Sequence, residues 1–417
     1  MQRLLLACAL LGASVLGAAV APSLSPSAQA ALSPSAQGAL SPTASAQPFK
    51  DYEFADVVIR AARPTGLARA EVNAEQIQRL NTINAEDSLK YLPSVSVRKR
   101  YIGDLNGIVQ LRGVSNFQTT RILVKADDYL LLSYYLQTRY YGSPRWSLIS
   151  PQEILKTQIR YGPYEAEDSG NAMGGTINFV TQQPTHRKIE LDATAFVQDF
   201  SLYGDHSSPD GRRTHFGYAD RFGKLSVYGF YDHQKSLSQP MIFYNSPGLA
   251  AAGPVVRDAF VDRDPQNATR YTYGDQGPDR SEINLFKLKL GYDFGEALKI
   301  QGQLATQGRL LSSVDKKSYL HDAAGKLIWG DGNNSTADAQ INGRGFNVNS
   351  ANFGSALSDR HDILAGLGLK GSFEGGWDYS LSGSLYSLQD DWTKTANRSA
   401  ADPLYNGSGT LSDFEGT

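Results

Sequence analysis

The chain has 417 residues, with 40 Gly, 22 Tyr, 17 Phe and only 3 Met, a composition that suits many short strands and turns and argues against helix bundles. Forty Lys and Arg against 42 Asp and Glu leave a formal net charge of -2, without the basic excess that a nucleic-acid partner wants. The length is enough for two domains or more.

The first 21 residues carry one basic residue, Arg3, then an apolar run, then Ala19-Val20-Ala21, which fits an A-x-A cleavage site. This reads as a secretory signal; the run nears spanning length, but it is rich in Ala and Gly and ends at small residues. Leu5-Leu6-Ala7-Cys8 looks like a lipoprotein box, but too few residues precede it for a charged region plus an apolar core. Cys8 is the only cysteine and leaves with the signal, so the mature chain is expected to have no disulfide and no thiol chemistry. Residues 22–50 form a spacer in which LSPSAQAA, LSPSAQGA and a decayed LSPTASAQ repeat. Such an Ala/Ser/Pro-rich, nearly uncharged stretch cannot bury a core. Ala44-Ser45-Ala46 offers a second cleavage site, as late as residue 46. Nothing later is long or apolar enough for a membrane helix, so any entry into a membrane must be by strands.

Residues 51–184 read as a small α+β domain. Asp56-Val57-Val58-Ile59 is strand-like. Helical patterns cover Ala74 to Asn81 and Asn84 to Tyr91, the second with Asn84 as N-cap and Pro93 beyond its end. Short strands follow at 94–97, 108–111 and 122–124. The stretch GNAMGGTINFVTQQP places its glycines before a strand, Thr176 to Thr181, with no helix behind it and no Lys-Ser/Thr pair. A phosphate cradle needs the opposite order. Gly174 and Gly175 instead point to a tight turn, by positive φ or by close backbone approach.

From Lys188 the period changes to two. Ile189, Leu191, Ala193, Ala195 and Val197 alternate with polar residues, as do Leu225 to Tyr231, Phe286 to Phe294, Leu298 to Leu304, Ile363 to Phe373 and Trp377 to Leu385. About seven strands result, near the roughly 9–11 residues that cross a bilayer. Turns at 295 and 375 are short, whereas the connections 236–281 and 309–360 are long. Phe294, Phe373 and Trp377 flank the short turns, as an interfacial girdle would. The pattern alone favours a soluble sandwich with one wet face, since barrel signals are weak per strand.

The order of motifs decides between them. Asp-Val-Val-Ile is followed by Asp87-Ser88-Leu89-Lys90-Tyr91-Leu92-Pro93, Leu111-Arg112-Gly113, Ile122-Leu123-Val124 with Asp127, Pro151-Gln152-Glu153-Ile154, Gly162-Pro163, Gly170, and Gly174-Gly175 with Asn178. This series resembles the plug domain of TonB-dependent outer-membrane receptors. The resemblance implies a globular plug inside an antiparallel transmembrane β-barrel, residues 185–417 supplying part of it. Arg112, Gly113, Gly162, Pro163, Gly170, Gly174, Gly175 and Asn178 would be structural. Asp56, Val57, Val58 and Ile59 would form the TonB box, or else the plug's first strand; an extended segment suits β-augmentation. The sequence departs from the family at Asp127-Asp128, where Asp-Gly is usual and a positive-φ turn is less comfortable, and at Ser169, where an aromatic is usual.

The implied function is TonB-dependent uptake of a scarce ligand, an iron–siderophore complex above all, across the outer membrane of a Gram-negative bacterium. The implied partners are TonB with its inner-membrane complex, outer-membrane lipid and a small-molecule metal chelate, with no nucleic acid. The alternatives are a passive porin or adhesin barrel and a non-functional truncated receptor. A 22-stranded barrel needs roughly 220 residues in strands alone, so the barrel is expected to be incomplete and the chain truncated. The plug begins just after the spacer, which leaves no room for a signalling domain.

Ligand contacts are expected from two mixed clusters of cations and aromatics. One is Arg98, Lys99, Arg100 and Tyr101; the other is Tyr134, Tyr135, Arg139, Tyr140 and Tyr141. Such groups suit an anionic or aromatic chelate; the plainer reading is plug-to-barrel packing. No enzyme, cofactor or metal site is expected. His186, His206, His215, His233, His321 and His361 are scattered in loops or at strand starts, and Asp127-Asp128 and Asp390-Asp391 read as solvated pairs.

Overall fold

A computed structural model of the chain describes residues 69–114, 121–132, 144–163, 168, 170–313, 315–330, 337–373, 376–396 and 414–416. The signal, the spacer, Asp56 to Ile59, and the cluster from Tyr134 to Tyr141 lie outside the described residues.

The first domain is built on β1 (Arg69–Asn73), β2 (Val95–Arg98), β3 (Ile108–Leu111), β4 (Ile122–Ala126), β5 (Leu130–Leu131), β6 (Ile154–Tyr161) and β7 (Gly175–Thr181). Five of these form one sheet in the order β1-β6-β7-β4-β5, and β2 pairs with β3 apart from it. The β4–β7 pair is parallel. β7 is central and buried on both faces, which is why its sequence is a continuous run and does not alternate. Ile122, Val124, Ile159, Ile177 and Phe179 fill the core, each buried side chain contributing about 1.5–3 kcal/mol. Trp146 packs edge-on to Phe179 at 6.2 Å and donates its indole N–H to the Gly107 carbonyl at 2.9 Å.

The helical expectations shrink. α1 covers only Ala74–Gln78, capped by Asn73 and Gln76. The stretch from Asn84 forms one 3-10 turn, Ala85–Leu89. Asp87 closes that turn by accepting the Ile83 and Asn84 N–H groups, each at 2.9 Å. The Asn84 amide donates elsewhere, to the Asp104 carbonyl at 2.8 Å. Tertiary demands on both side chains outweigh the helical pattern.

Asp127 and Asp128 both take positive φ, 50° and 69°, in the tight β4–β5 turn. The discomfort expected there is offset by side-chain bonds. Asp127 accepts the Thr181 N–H at 2.8 Å, and Asp128 exchanges hydrogen bonds with the Asn178 amide at 3.1 and 2.9 Å. Gly175 has φ +134°, and a Cβ there would collide with the Arg160 carbonyl oxygen. Gly174 serves by close approach alone, with Val114 where a Cβ would go.

The remaining strands, in chain order, are β8 (Lys188–Val197), a small hairpin of β9 (Phe200–Leu202) and β10 (Asp205–Ser207), β11 (Asp210–Phe222), β12 (Leu225–Leu237), β13 (Phe243–Pro247), β14 (Phe260–Arg263), β15 (Thr269–Asp275), β16 (Asp279–Asp293), β17 (Lys299–Ser313), β18 (Lys317–Ser318), β19 (Ala339–Ile341), β20 (Arg344–Phe346), β21 (Ala356–Phe373), β22 (Trp377–Ala396) and β23 (Phe414–Gly416). Eight form an antiparallel wall in the order β23-β22-β21-β17-β16-β12-β11-β8. Of the long wall strands, β8 has the expected length at 10 residues, and β11 to β22 exceed it, reaching 20 residues in β22. Their apolar face points away from the first domain: Leu191 is 79% exposed and Leu381 66%. Their other face is turned towards it and is buried mainly on β11, β12, β16 and β17. The wall is an open ladder among the described residues, with β8 and β23 at its ends.

The long connections carry their own structure. β13, β14, β15 and β18 form a small sheet, and Val256, Tyr271, Tyr273, Leu320, Phe346 and Phe353 make a second core. Tyr271 stacks on Phe346 at 5.0 Å. From sequence these stretches are expected only as long connections.

Candidate functional site

The first domain meets the wall through a buried polar layer. Its centre is the turn Ser150 to Glu153, where Pro151 starts a 3-10 turn and Glu153 accepts the Ser150 N–H at 3.1 Å. Period-two alternation in β16 aims Lys287 and Lys289 at this domain. Lys287 Nζ donates to Glu153 Oε1 at 2.6 Å, with the side chains 1% and 0% exposed. It also sits 5.7 Å from the centre of the Phe230 ring. Lys289 Nζ lies 3.4 Å from Asp127 Oδ2, donates to the Gln182 carbonyl at 3.2 Å and bonds the Thr181 hydroxyl. Asp127 is therefore not a solvated acid. Burial alone would raise its carboxyl, but Lys289 and the Thr181 N–H outweigh that and hold it below the usual carboxylate range.

A second set lies on β11 and β12. Arg213 pairs with Asp232 and donates to Ser150 Oγ at 2.8 Å. His215 is fully buried, with Nδ1 3.3 Å from Ser150 Oγ and 3.4 Å from Asp232, and Nε2 3.5 Å from Glu190. His215 and His233 lie inside β11 and β12, not in loops or at strand starts as expected. Further along, Gln307 donates to the Ser147 carbonyl at 2.7 Å and Gln303 to the Tyr129 hydroxyl at 3.1 Å.

The loop between β2 and β3 reaches the end of the wall that carries the long connections. Here Gln234 donates to the Gly103 carbonyl at 3.1 Å and Gln239 to the Arg100 carbonyl at 2.8 Å. Arg100 clasps Asp104 with Nε and Nη2 at 2.9 and 2.8 Å. Burial opposes the Asp104 charge, but the guanidinium prevails and holds the carboxyl below its ordinary range. Tyr101 is buried; burial and then Asp104 push its phenol up. The first expected ligand cluster is thus brought to the mouth end of the wall, but not as one exposed patch. Arg98 is exposed on β2, Arg100 is half-exposed, and Tyr101 faces inward.

Lys99 leaves the cluster altogether. It is 11% exposed and bridges Asp87 at 2.8 Å and Glu86 at 3.2 Å inside the domain. Burial, reinforced by Asp87 and only partly relieved by Lys99, pushes the Glu86 carboxyl up to about 7. The residues expected to be structural adopt turn geometries: Arg112 and Gly113 have φ of 51° and 78°, and Gly162 and Gly170 have 96° and 109°. The Arg112 guanidinium lies 5.0 Å from the centre of the Tyr161 ring.

A globular domain clasped by the polar face of an antiparallel wall, whose other face is apolar, defines a plugged strand wall. Residues 62–176 match the family model of the TonB-dependent Receptor Plug Domain. Residues 62–176 accordingly form a TonB-dependent receptor plug domain, and the strands that follow build an antiparallel wall. The solved structures it resembles include Pseudomonas aeruginosa FpvA bound to a heterologous pyoverdine (14% identity, TM-score 0.45, 85% of this chain and 47% of that one). They also include BauA, the ferric preacinetobactin receptor from Acinetobacter baumannii (14%, 0.43, 80% and 48%), and the ferric citrate transporter FecA in its unliganded form (14%, 0.42, 84% and 51%). The chain spans about half the length of these relatives. No curated protein matches it. Among the described residues no helix is long and apolar enough to cross a membrane, which says nothing of strands.

Proposed function

We propose that the protein imports a scarce ligand, an anionic iron–siderophore chelate, across the outer membrane of a Gram-negative bacterium, driven through TonB. The observation that carries this reading is the buried polar layer between plug and wall, centred on Lys287 and Glu153. A passive channel has no use for a domain filling its lumen. In this reading residues 1–21 are the signal, 22–50 a spacer, 51–184 the plug and 185–417 barrel strands. TonB would pair with Asp56 to Ile59 as an added strand. The ligand would rest on Arg98 and Arg100 and on Tyr134, Tyr135, Arg139, Tyr140 and Tyr141, with the buried Tyr101 behind them.

The test is uptake of radiolabelled iron, presented on a panel of siderophores, by cells expressing the chain with and without TonB. Uptake that disappears without TonB supports the proposal. Equal uptake in both strains identifies a passive channel and sinks it.

A further inference from the structure

Towards the short turns, the inner face of the wall stops bonding to the plug. Gln303 of β17 bonds the Tyr129 hydroxyl, and Ser384 of β22 donates to the Tyr129 carbonyl at 2.9 Å. The next two rows on that face align Gln301, Gly368 and Ser382, then Lys299, Lys370 and Ser380, across β17, β21 and β22. None of the five side chains in these rows has a partner among the described residues. The rows instead floor a cavity of about 400 Å³, roofed by the β4–β5 turn of the plug with Lys125 and Tyr129. Gly368 keeps the middle of the floor open, since a Cβ there would come no nearer than 3.7 Å to Tyr129.

Lys299 and Lys370 are direct partners in the strand register, and like charges placed so destabilise a sheet. No acid answers them. In the roof, Asp127 is held by Lys289 and the Thr181 N–H, and Asp128 by the Asn178 amide. Glu296 and Asp378 line the adjoining space beyond ion-pair reach of both lysines, and Asp378 accepts the Ser372 hydroxyl at 2.7 Å. Two ammonium groups, two hydroxyls and an amide thus face one space, and the plug uses none of them.

We propose that Lys299 and Lys370, with Gln301, Ser380 and Ser382, form a site for a small anion that carries more than one negative charge, on phosphate or carboxylate oxygens. An anion between the lysines turns one repulsion into two attractions, and ammonium-to-oxyanion bonds are charge-assisted. Asp127 and Asp128 in the roof confine the occupant to the floor. The site lies at the other end of the wall from Arg98 and Arg100, and it does not rest on the transport reading.

The full chain, purified in detergent at fixed ionic strength, is titrated calorimetrically with inorganic pyrophosphate and with tricarballylate, a metal-free tricarboxylate. One equivalent of at least one of them binds the wild type. Lys299→Met and Lys370→Met each weaken that binding about tenfold. Gly368→Leu, which fills the floor and keeps both charges, abolishes it. Lys224→Met, an exposed lysine in another short turn, binds as the wild type does. Binding of pyrophosphate alone identifies a phosphate ligand, of tricarballylate alone a carboxylate, and of both a site that reads charge. Without anion, Lys299→Met melts at or above the wild-type temperature, because a repulsion is gone. The proposal is overturned if the wild type binds neither anion, if either lysine variant binds as tightly as the wild type, or if Lys224→Met weakens binding as much as they do.

Discussion

Lys287→Met tests whether plug and wall are joined as described. Lys287 Nζ and Glu153 Oε1 are 2.6 Å apart, and both side chains are essentially inaccessible. Removing the lysine leaves Glu153 buried with the Ser150 N–H as its remaining donor; its other oxygen already lacks a partner. Breaking a buried pair from one side costs about 3–5 kcal/mol, because the remaining charge is uncompensated. Lys287→Met with Glu153→Gln removes both charges and should recover most of that loss, so a double-mutant cycle should show a coupling of at least about 2 kcal/mol. Arg79→Ala serves as the surface control, since Arg79 and Glu75 are 75% and 74% exposed and such pairs contribute about 0–1 kcal/mol. The assay is hydrogen exchange of β6 and β7 in the purified chain, which reads plug opening separately from wall unfolding. A Lys287→Met cost no larger than that of Arg79→Ala would refute the buried-pair argument.

Glu86 gives a pH test. Its folded carboxyl is raised from 4.5 to about 7, so its contribution to stability is full below pH 4.5 and is lost as pH rises through 7. The loss is at most about 3 kcal/mol, and Glu86→Gln should flatten plug stability across that window in urea titrations. Gly175→Ala should destabilise the plug by about 1–3 kcal/mol or more, since φ is +134° and the carbonyl of Arg160 blocks a Cβ; the urea midpoint checks it. Leu304→Arg places a cation on the outward face, where Leu304 is 49% exposed. If that face meets lipid, insertion should weaken by about 2–4 kcal/mol in refolding into vesicles; a water-facing sheet would barely respond.

The wall was legible because its outward positions are apolar at every second residue, and that signal is local. β11 escaped for the same reason in reverse. Its plug face carries Arg213 and His215, and its outward face offers Phe216, Tyr218 and Phe222 broken by Asp, Arg and Thr. The partners across the plug–wall layer could not be read at all. Lys287 finds Glu153 across 134 positions, and Lys289 finds Asp127 across 162, so no periodicity links them. The cation–aromatic rule gathered Lys99 with Arg98 and Arg100, but alternation turned Lys99 inward to Glu86 and Asp87. The same limit applies to Asp127-Asp128. The turn looked uncomfortable because its compensating donor, Thr181, lies 54 residues on.

A plug held by apolar area would bind the wall through a non-directional force that grows with every buried side chain. This interface has such area, since Tyr228, Phe230, Leu285, Ala305 and Leu364 of the wall cluster with the plug core, but beside it lies a layer of Lys, Arg, Asp, Glu, His and Gln. A well-formed buried ion pair is close to neutral against a hydrophobic pair of the same volume, yet costly to break from one side. Such a layer fixes register tightly while adding little net adhesion. Glu153 shows how: one carboxylate oxygen closes the plug's own turn and holds Lys287 at once, so the turn cannot shift along β16 without leaving both unpaired. The outward face has the reverse design, with exposed apolar side chains such as Leu191 and Leu381 that make no directional bonds. Directional bonds thus sit on the inner face and non-directional apolar area on the outer one.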